Sequence, residues 1–172
     1  MTPDDACEVA HGTAEPDSVA ARLLVAVFAS PMARFLLRYG ADVGYTGVLV
    51  EPDERRAAKA AVTGLDILEA VPGGLSDADV VVTDHHRPEL GIMIAQVLAA
   101  DPRWVGVVGN PRHEAPHIPA LESLGVPAEK IARVHRPIGL NIGSRRPPEI
   151  AIATLAGLLA DRNGRPGGFD FT

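Results

Sequence analysis

Four short stretches of this chain combine residue types that can build a binding site. The first is Pro137-Ile138-Gly139-Leu140-Asn141-Ile142-Gly143-Ser144-Arg145-Arg146-Pro147-Pro148-Glu149-Ile150. Gly139 and Gly143 frame a Leu-Asn-Ile segment and free the backbone to turn on either side. Pro147 and Pro148 suit a first helical turn, where N–H groups have no intrahelical partner, so Ser144 or Arg145 falls near the N-cap. Backbone N–H groups of the glycine turn can then face the helix start, where the dipole favours an anion. The second stretch is Asp84-His85-His86, directly after the apolar Val80-Val81-Val82-Thr83. The third is Gly109-Asn110-Pro111-Arg112, in which a glycine turn with an arginine suits a phosphate or carboxylate, or simply a surface ion pair. The fourth pairs Ser30 with Glu51, each at the end of an apolar run. An acid at that place can accept hydrogen bonds from ribose hydroxyls, and it can equally be a solvated strand end.

The elements needed to bring these stretches together follow from periodicity. Leu23 to Ala29 is a nearly continuous apolar run of the kind buried on both faces of a sheet, and Tyr45 to Val50, Val80 to Thr83 and Trp104 to Val108 read the same way. Helical spacing separates them. Ser30 can cap and Pro31 can open a helix in which Met32, Phe35, Leu36 and Tyr39 repeat, ended by Gly40. Glu89 to Ala100 is helical, and so is the segment from Pro147 to Arg162, where Ile150, Ile152, Leu155, Leu158 and Leu159 recur among small residues. Shorter helices are expected in Pro52 to Ala61, Ile118 to Leu124 and Pro127 to Ala132, with a short strand or helix near Ile67-Leu68. Strands alternating with helices predict an α/β, Rossmann-like open and mostly parallel sheet of about five or six strands, with helices on both faces. In such a sheet the carboxyl ends of the strands share one crevice, so Ser30, Glu51, Asp84, His85 and His86 can face a common hollow.

The first turn departs from a dinucleotide fingerprint. That fingerprint needs glycine at its first two positions for a tight turn and close phosphate approach, yet Phe28 and Ser30 occupy them and only Ala33 fits the third. Phe28 is expected to fill the space a phosphate needs. An NAD(P)-dependent oxidoreductase is disfavoured on that ground. A metal site is not expected either, because adjacent residues on an extended chain point oppositely, and prolines interrupt the helical spacing of His113 and His117.

Composition sets outer bounds. A chain of 172 residues with 47% hydrophobic and 22% charged residues fits one globular domain, and aromatics at 4% leave Ala, Val and Leu to fill its core. The net charge of −6 supplies no field for a phosphate backbone, so nucleic acid is not an expected partner. Cys7 is the single cysteine, which excludes an intrachain disulfide and agrees with a reducing, cytoplasmic setting. No apolar run reaches the roughly 20 residues of a membrane span, and the N-terminus lacks a signal-peptide pattern. The expected organisation is a flexible leader over 1–20, one domain over 21–164 and a tail over 165–172.

Pro137-Ile138-Gly139-Leu140-Asn141-Ile142-Gly143, followed by Pro148-Glu149-Ile150-Ala151, resembles the C-terminal signature of the XdhC/CoxI family, the accessory proteins of xanthine and carbon monoxide dehydrogenases. The family pattern is P-I-G-L-D-I-G, then P-x-E-I-A, and Asn141 stands where an Asp is usual. The resemblance runs from about Leu23 to Arg162. Thr83 and His86 match a T-H-D-H pattern whose middle residues are permuted here, and Gly106, Gly109 and Arg112 match the next strand end. It implies the Rossmann-like half of such a protein. Full-length members also carry an N-terminal domain with a functional cysteine, for which this chain has no room and with which Cys7 is not equated. The implied role is accessory and maturational, serving a molybdenum hydroxylase client enzyme. The chain would bind the molybdenum cofactor or a nucleotide rather than turn over substrate, with a homodimer as an open assembly state. The residues implied at the cofactor are Ser30, Glu51, Thr83, His86, Gly109, Arg112, Gly139 and Gly143. A degenerate, non-binding domain acting through protein contacts is the alternative reading.

Overall fold

The computed structural model of the protein describes residues 11, 22–61, 64–110, 112, 114–143 and 145–168. Cys7, His113 and Ser144, and with them the His113–His117 pair and the expected leader apart from His11, lie outside the described residues. Six parallel strands, β1 (Arg22–Val27), β2 (Tyr45–Val50), β3 (Ile67–Leu68), β4 (Asp79–Val82), β5 (Trp104–Val107) and β6 (Val134–His135), form one sheet in the order β3-β2-β1-β4-β5-β6. This is the doubly wound order of a Rossmann sheet. The connecting helices are α1 (Pro31–Asp42), α2 (Glu54–Ala61), α3 (Leu90–Ala99), α4 (His117–Ser123), α5 (Ala128–Ile131) and α6 (Pro147–Arg162).

The pleat divides β1 between two cores. Leu24 and Ala26 join Leu36 of α1 and Leu155 and Leu158 of α6 on one face, while Val25 and Val27 join Ile94 and Val97 of α3 and Leu121 of α4 on the other. Both faces are thus covered, which is why these strands read as unbroken apolar runs.

Two helical readings need correction. Gly40 does not end α1 but lies buried inside it, where an added Cβ would stand 2.9 Å from Leu24 Cδ2 and 3.9 Å from Leu155 Cδ2. Its role is close packing of α1 on β1 and α6. In α6 the buried face is Ala151, Ala153, Thr154, Leu155 and Leu158, whereas Ile152 is 54% exposed. Small residues thus share the packed face with Leu155 and Leu158. The N-cap of α6 is Arg146, whose N–H donates to Glu149 Oε2 at 3.4 Å.

At the amino end of the sheet, Asp79 is fully buried and gathers three partners. Tyr45 Oη donates to it at 2.6 Å, Arg103 Nε at 2.7 Å and Arg162 Nε at 2.7 Å. One carboxylate thereby ties the starts of β2, β4 and β5 to the end of α6. Burial, reinforced by the neighbouring Asp79 carboxylate, pushes the Tyr45 hydroxyl up to about 12.

Candidate functional site

Parallel register levels the carboxyl ends of three strands, because Val27 pairs with Val50 on one side and with Val82 on the other. Phe28, Glu51 and Thr83 therefore emerge side by side. Phe28 has a φ of 73°, in the region that ordinarily calls for glycine. Its ring is fully buried in the core on the α3 side, with the Arg87 guanidinium 4.6 Å from its centroid. The ring fills the core rather than the turn, so it is not the obstruction that its place in the fingerprint implied.

The turn is closed instead by hydrogen bonds. Ala29 N–H donates to Glu51 Oε2 at 2.7 Å. Ser30 Oγ caps α1 by accepting from Ala33 N–H at 3.0 Å, and it donates to Thr83 Oγ1 at 2.9 Å. Thr83 in turn donates to the Phe28 carbonyl at 2.7 Å. The N–H groups of Ala29 and Ala33, which an approaching phosphate would need, already have acceptors. Ser30 and Thr83, which the family resemblance implied at the cofactor, are hydrogen-bonded to each other.

Glu51 is likewise turned inward. It is 0% exposed, and Arg87 holds it bidentately, Nη1 to Oε2 and Nη2 to Oε1 at 2.9 Å each. Asp53 N–H adds a further bond to Oε1 at 3.0 Å. The reading of Glu51 as a ribose acceptor gives way to that of a buried structural carboxylate. Burial alone would raise its carboxyl, but the hydrogen bonds from Arg87, Ala29 and Asp53 outweigh burial and hold it below the ordinary value. Sequence reasoning missed Arg87. It precedes Pro88 in a non-periodic connection, and only its nearness to the end of β4 marked it out.

An open crevice remains beside this closed turn, at the ends of β4, β5 and β6. It has a volume of about 570 Å³ and is lined by His85, His86, Asn110, Glu114 and Pro116. The two imidazoles lie together with ring centroids 4.1 Å apart, and Asp84 Oδ1 accepts from His86 N–H at 3.0 Å. Arg136, from the end of β6, lies across Gly109, where an added Cβ would stand 2.5 Å from its Nε, and its Nη2 donates to the Asn110 carbonyl at 3.3 Å. Its positive charge reaches both His85 and His117. Burial is the main cause that lowers the pKa of each, with the His86 and Arg136 charges adding to it at His85 and Arg136 at His117. His117 is 2% exposed and its Nδ1 has no hydrogen-bond partner. A cationic arginine, paired imidazoles and a carboxamide at strand ends can bind an anion.

Of the remaining expected residues, His86 lines this crevice, and Gly109 lies under the Arg136 guanidinium. Arg112 is exposed, with its backbone N–H on Asn110 Oδ1 at 2.9 Å. Arg136 is the arginine laid across Gly109, and it stands just before the Pro137 to Gly143 motif, so nothing in the pattern singled it out. Gly139 lies against the middle of α6: an added Cβ would stand 2.9 Å from the Ala153 carbonyl, and a Cβ added at Gly157 would stand 3.0 Å from Gly139 Cα. Leu140 N–H donates to the Ala153 carbonyl at 3.0 Å and Ile142 N–H to the Leu140 carbonyl at 3.0 Å. These N–H groups are therefore not turned toward the helix start as the sequence suggested. Gly143 keeps a φ of 66° with open space around it.

Sheet order, strand-end crevice and helices on both faces define a doubly wound Rossmann domain whose first turn is bonded to itself. Over residues 24–158 the chain matches the XdhC Rossmann domain, and it belongs to that family. It is 37% identical over 89 residues to the uncharacterized protein YqeB of Escherichia coli (strain K12), covering 52% of this chain and 16% of that protein. Its fold is similar to the crystal structure of a xanthine dehydrogenase from Bacillus halodurans, with a TM-score of 0.67 and 20% identity over 84% of this chain and 45% of that one. The chain thus spans less than half the length of either protein. Among the described residues no helix is long and apolar enough to cross a membrane.

Proposed function

We propose that this chain is an accessory domain for a molybdenum hydroxylase of the xanthine or carbon monoxide dehydrogenase type. In this reading it holds a phosphate-bearing cofactor or nucleotide in the crevice at the ends of β4 to β6 and catalyses no turnover. The observation that carries the reading is Arg136 lying across Gly109 beside His85 and Asn110, in a chain of the XdhC family. A volume of about 570 Å³ is within the usual range for small-molecule sites. The residues suit the phosphate of the molybdenum cofactor: Arg136 supplies a planar, permanent cation and Asn110 an amide donor. The fit thus rests on the phosphate of the cofactor, which Arg136 and Asn110 can meet.

The test is a thermal-shift comparison of nucleotides, pterins, phosphate and sulfate. A ligand at a hundredfold excess over its Kd stabilises by about 2.7 kcal/mol, which is readily seen. Arg136→Ala should weaken the binding of a phosphate-bearing ligand by about tenfold or more. Absence of any shift would favour the second reading, a non-binding domain that acts through protein contacts. The observation behind that alternative is the first turn, whose donors are already satisfied by Glu51 and Ser30.

A further inference from the structure

A second opening lies on the other side of the first turn. It is a groove of about 530 Å³ between α1 and α2, over the end of β2. Leu49, Ala60 and Leu65 contribute apolar lining, while Arg34 from α1 and Arg56 and Lys59 from α2 line it with charge. The spacing makes this one surface: Arg56, Lys59 and Ala60 share a face of α2 at three- and four-residue steps. Asp53 caps α2 through Arg56 N–H at 2.9 Å, yet among the described residues no carboxylate lies within ion-pairing distance of Arg34, Arg56 or Lys59. On a chain whose net charge is −6, three neighbouring cations, only Arg56 of which has a carboxylate charge acting on it in Asp53 among the described residues, are a local reversal of the global field. The N-terminus of α1 is not the attraction, because Pro31 has no N–H and Ser30 Oγ already takes that of Ala33.

We infer that this groove binds a mononucleotide, its base on the apolar lining and its phosphate among Arg34, Arg56 and Lys59. An apolar surface rimmed by cations suits a flat heteroaromatic ring carrying a phosphate. Two features limit the ligand to one nucleotide. The hydrogen-bonded series Ala33, Ser30, Thr83 and Phe28 closes the path by which a dinucleotide would cross toward β4, and Glu51 is buried and so does not read the ribose. This site is independent of the crevice around Arg136.

The test is isothermal titration of the full chain with adenosine 5′-monophosphate, adenosine, inorganic phosphate and NADP. Adenosine 5′-monophosphate should saturate the protein, with adenosine and inorganic phosphate each at least about tenfold weaker, since each lacks one half of the recognition. Arg34→Ala, Arg56→Ala and Lys59→Ala should each weaken it about fivefold to tenfold, as expected of partly exposed charge contacts. The component of adenosine 5′-monophosphate binding that is lost on substitution of Arg34, Arg56 and Lys59 should persist in Arg136→Ala, which acts only on the other crevice and so separates the two sites. These three side chains are exposed, so the single variants should fold, and melting curves will verify it. The inference is overturned if adenosine 5′-monophosphate does not saturate, or if its binding survives all three substitutions. Inorganic phosphate binding as tightly would also overturn it, as would NADP binding more than about tenfold tighter in a Ser30-dependent manner.

Discussion

Glu51 and Arg87 form a buried pair whose members depend on each other. Their side chains are 3% and 0% exposed, for Arg87 and Glu51 respectively, and joined by parallel hydrogen bonds, so removing either leaves a desolvated charge without compensation. Glu51→Ala or Arg87→Ala should destabilise the domain by about 3–5 kcal/mol, read from urea midpoints. A pH dependence follows from the depressed Glu51 carboxyl. Because its folded value lies below the unfolded 4.5, its stabilisation is complete above that pH and is lost as the pH falls through the lower folded value. The melting temperature of the native chain should therefore drop on acidification below pH 4.5, while Glu51→Gln should start lower and fall less steeply over that window. Parallel profiles for the two proteins would assign the acid lability to other groups. Glu51 was visible in the sequence as an acid at a strand end, but the direction it faces was not. That direction is set by Arg87, which reaches it from 36 residues away in the chain.

At the scale of elements, the strands and longer helices were legible because their signals are local. Buried parallel strands read as apolar runs, and Pro31 and Pro147 mark helix starts. β6, with two residues, is too short to show a period, and it is defined only by pairing with Val105 and Gly106. The candidate site was less legible, since contacts between elements decide it. Gly139 and Gly143 look equivalent in the motif and differ in the fold. Gly139→Ala combines a φ of 80° with a Cβ 2.9 Å from the Ala153 backbone, and it should lose more than about 2 kcal/mol. Gly143→Ala, with a φ of 66° and open surroundings, should lose only about 1 kcal/mol. Thermal melts of the two variants side by side will show whether they separate in this order. Equal losses would mean that the approach of Gly139 to α6 relaxes without penalty.

Over the whole molecule, two buried carboxylates secure opposite ends of one sheet. Asp79 at the amino end binds Tyr45, Arg103 and Arg162, and Glu51 at the carboxyl end binds Arg87 and Ala29. Asp79→Ala should destabilise the fold by about 3–5 kcal/mol, yet leave ligand affinity at the carboxyl end within about twofold, measured by titration below the melting transition. An affinity change as large as the stability change would show that the two ends are coupled through β4. The Ala29 N–H on Glu51 has one more implication. In place of a visiting anion the turn keeps a resident one, covalently part of the chain and always at saturating concentration. That turn is thus closed by the chain's own carboxylate as soon as the domain folds.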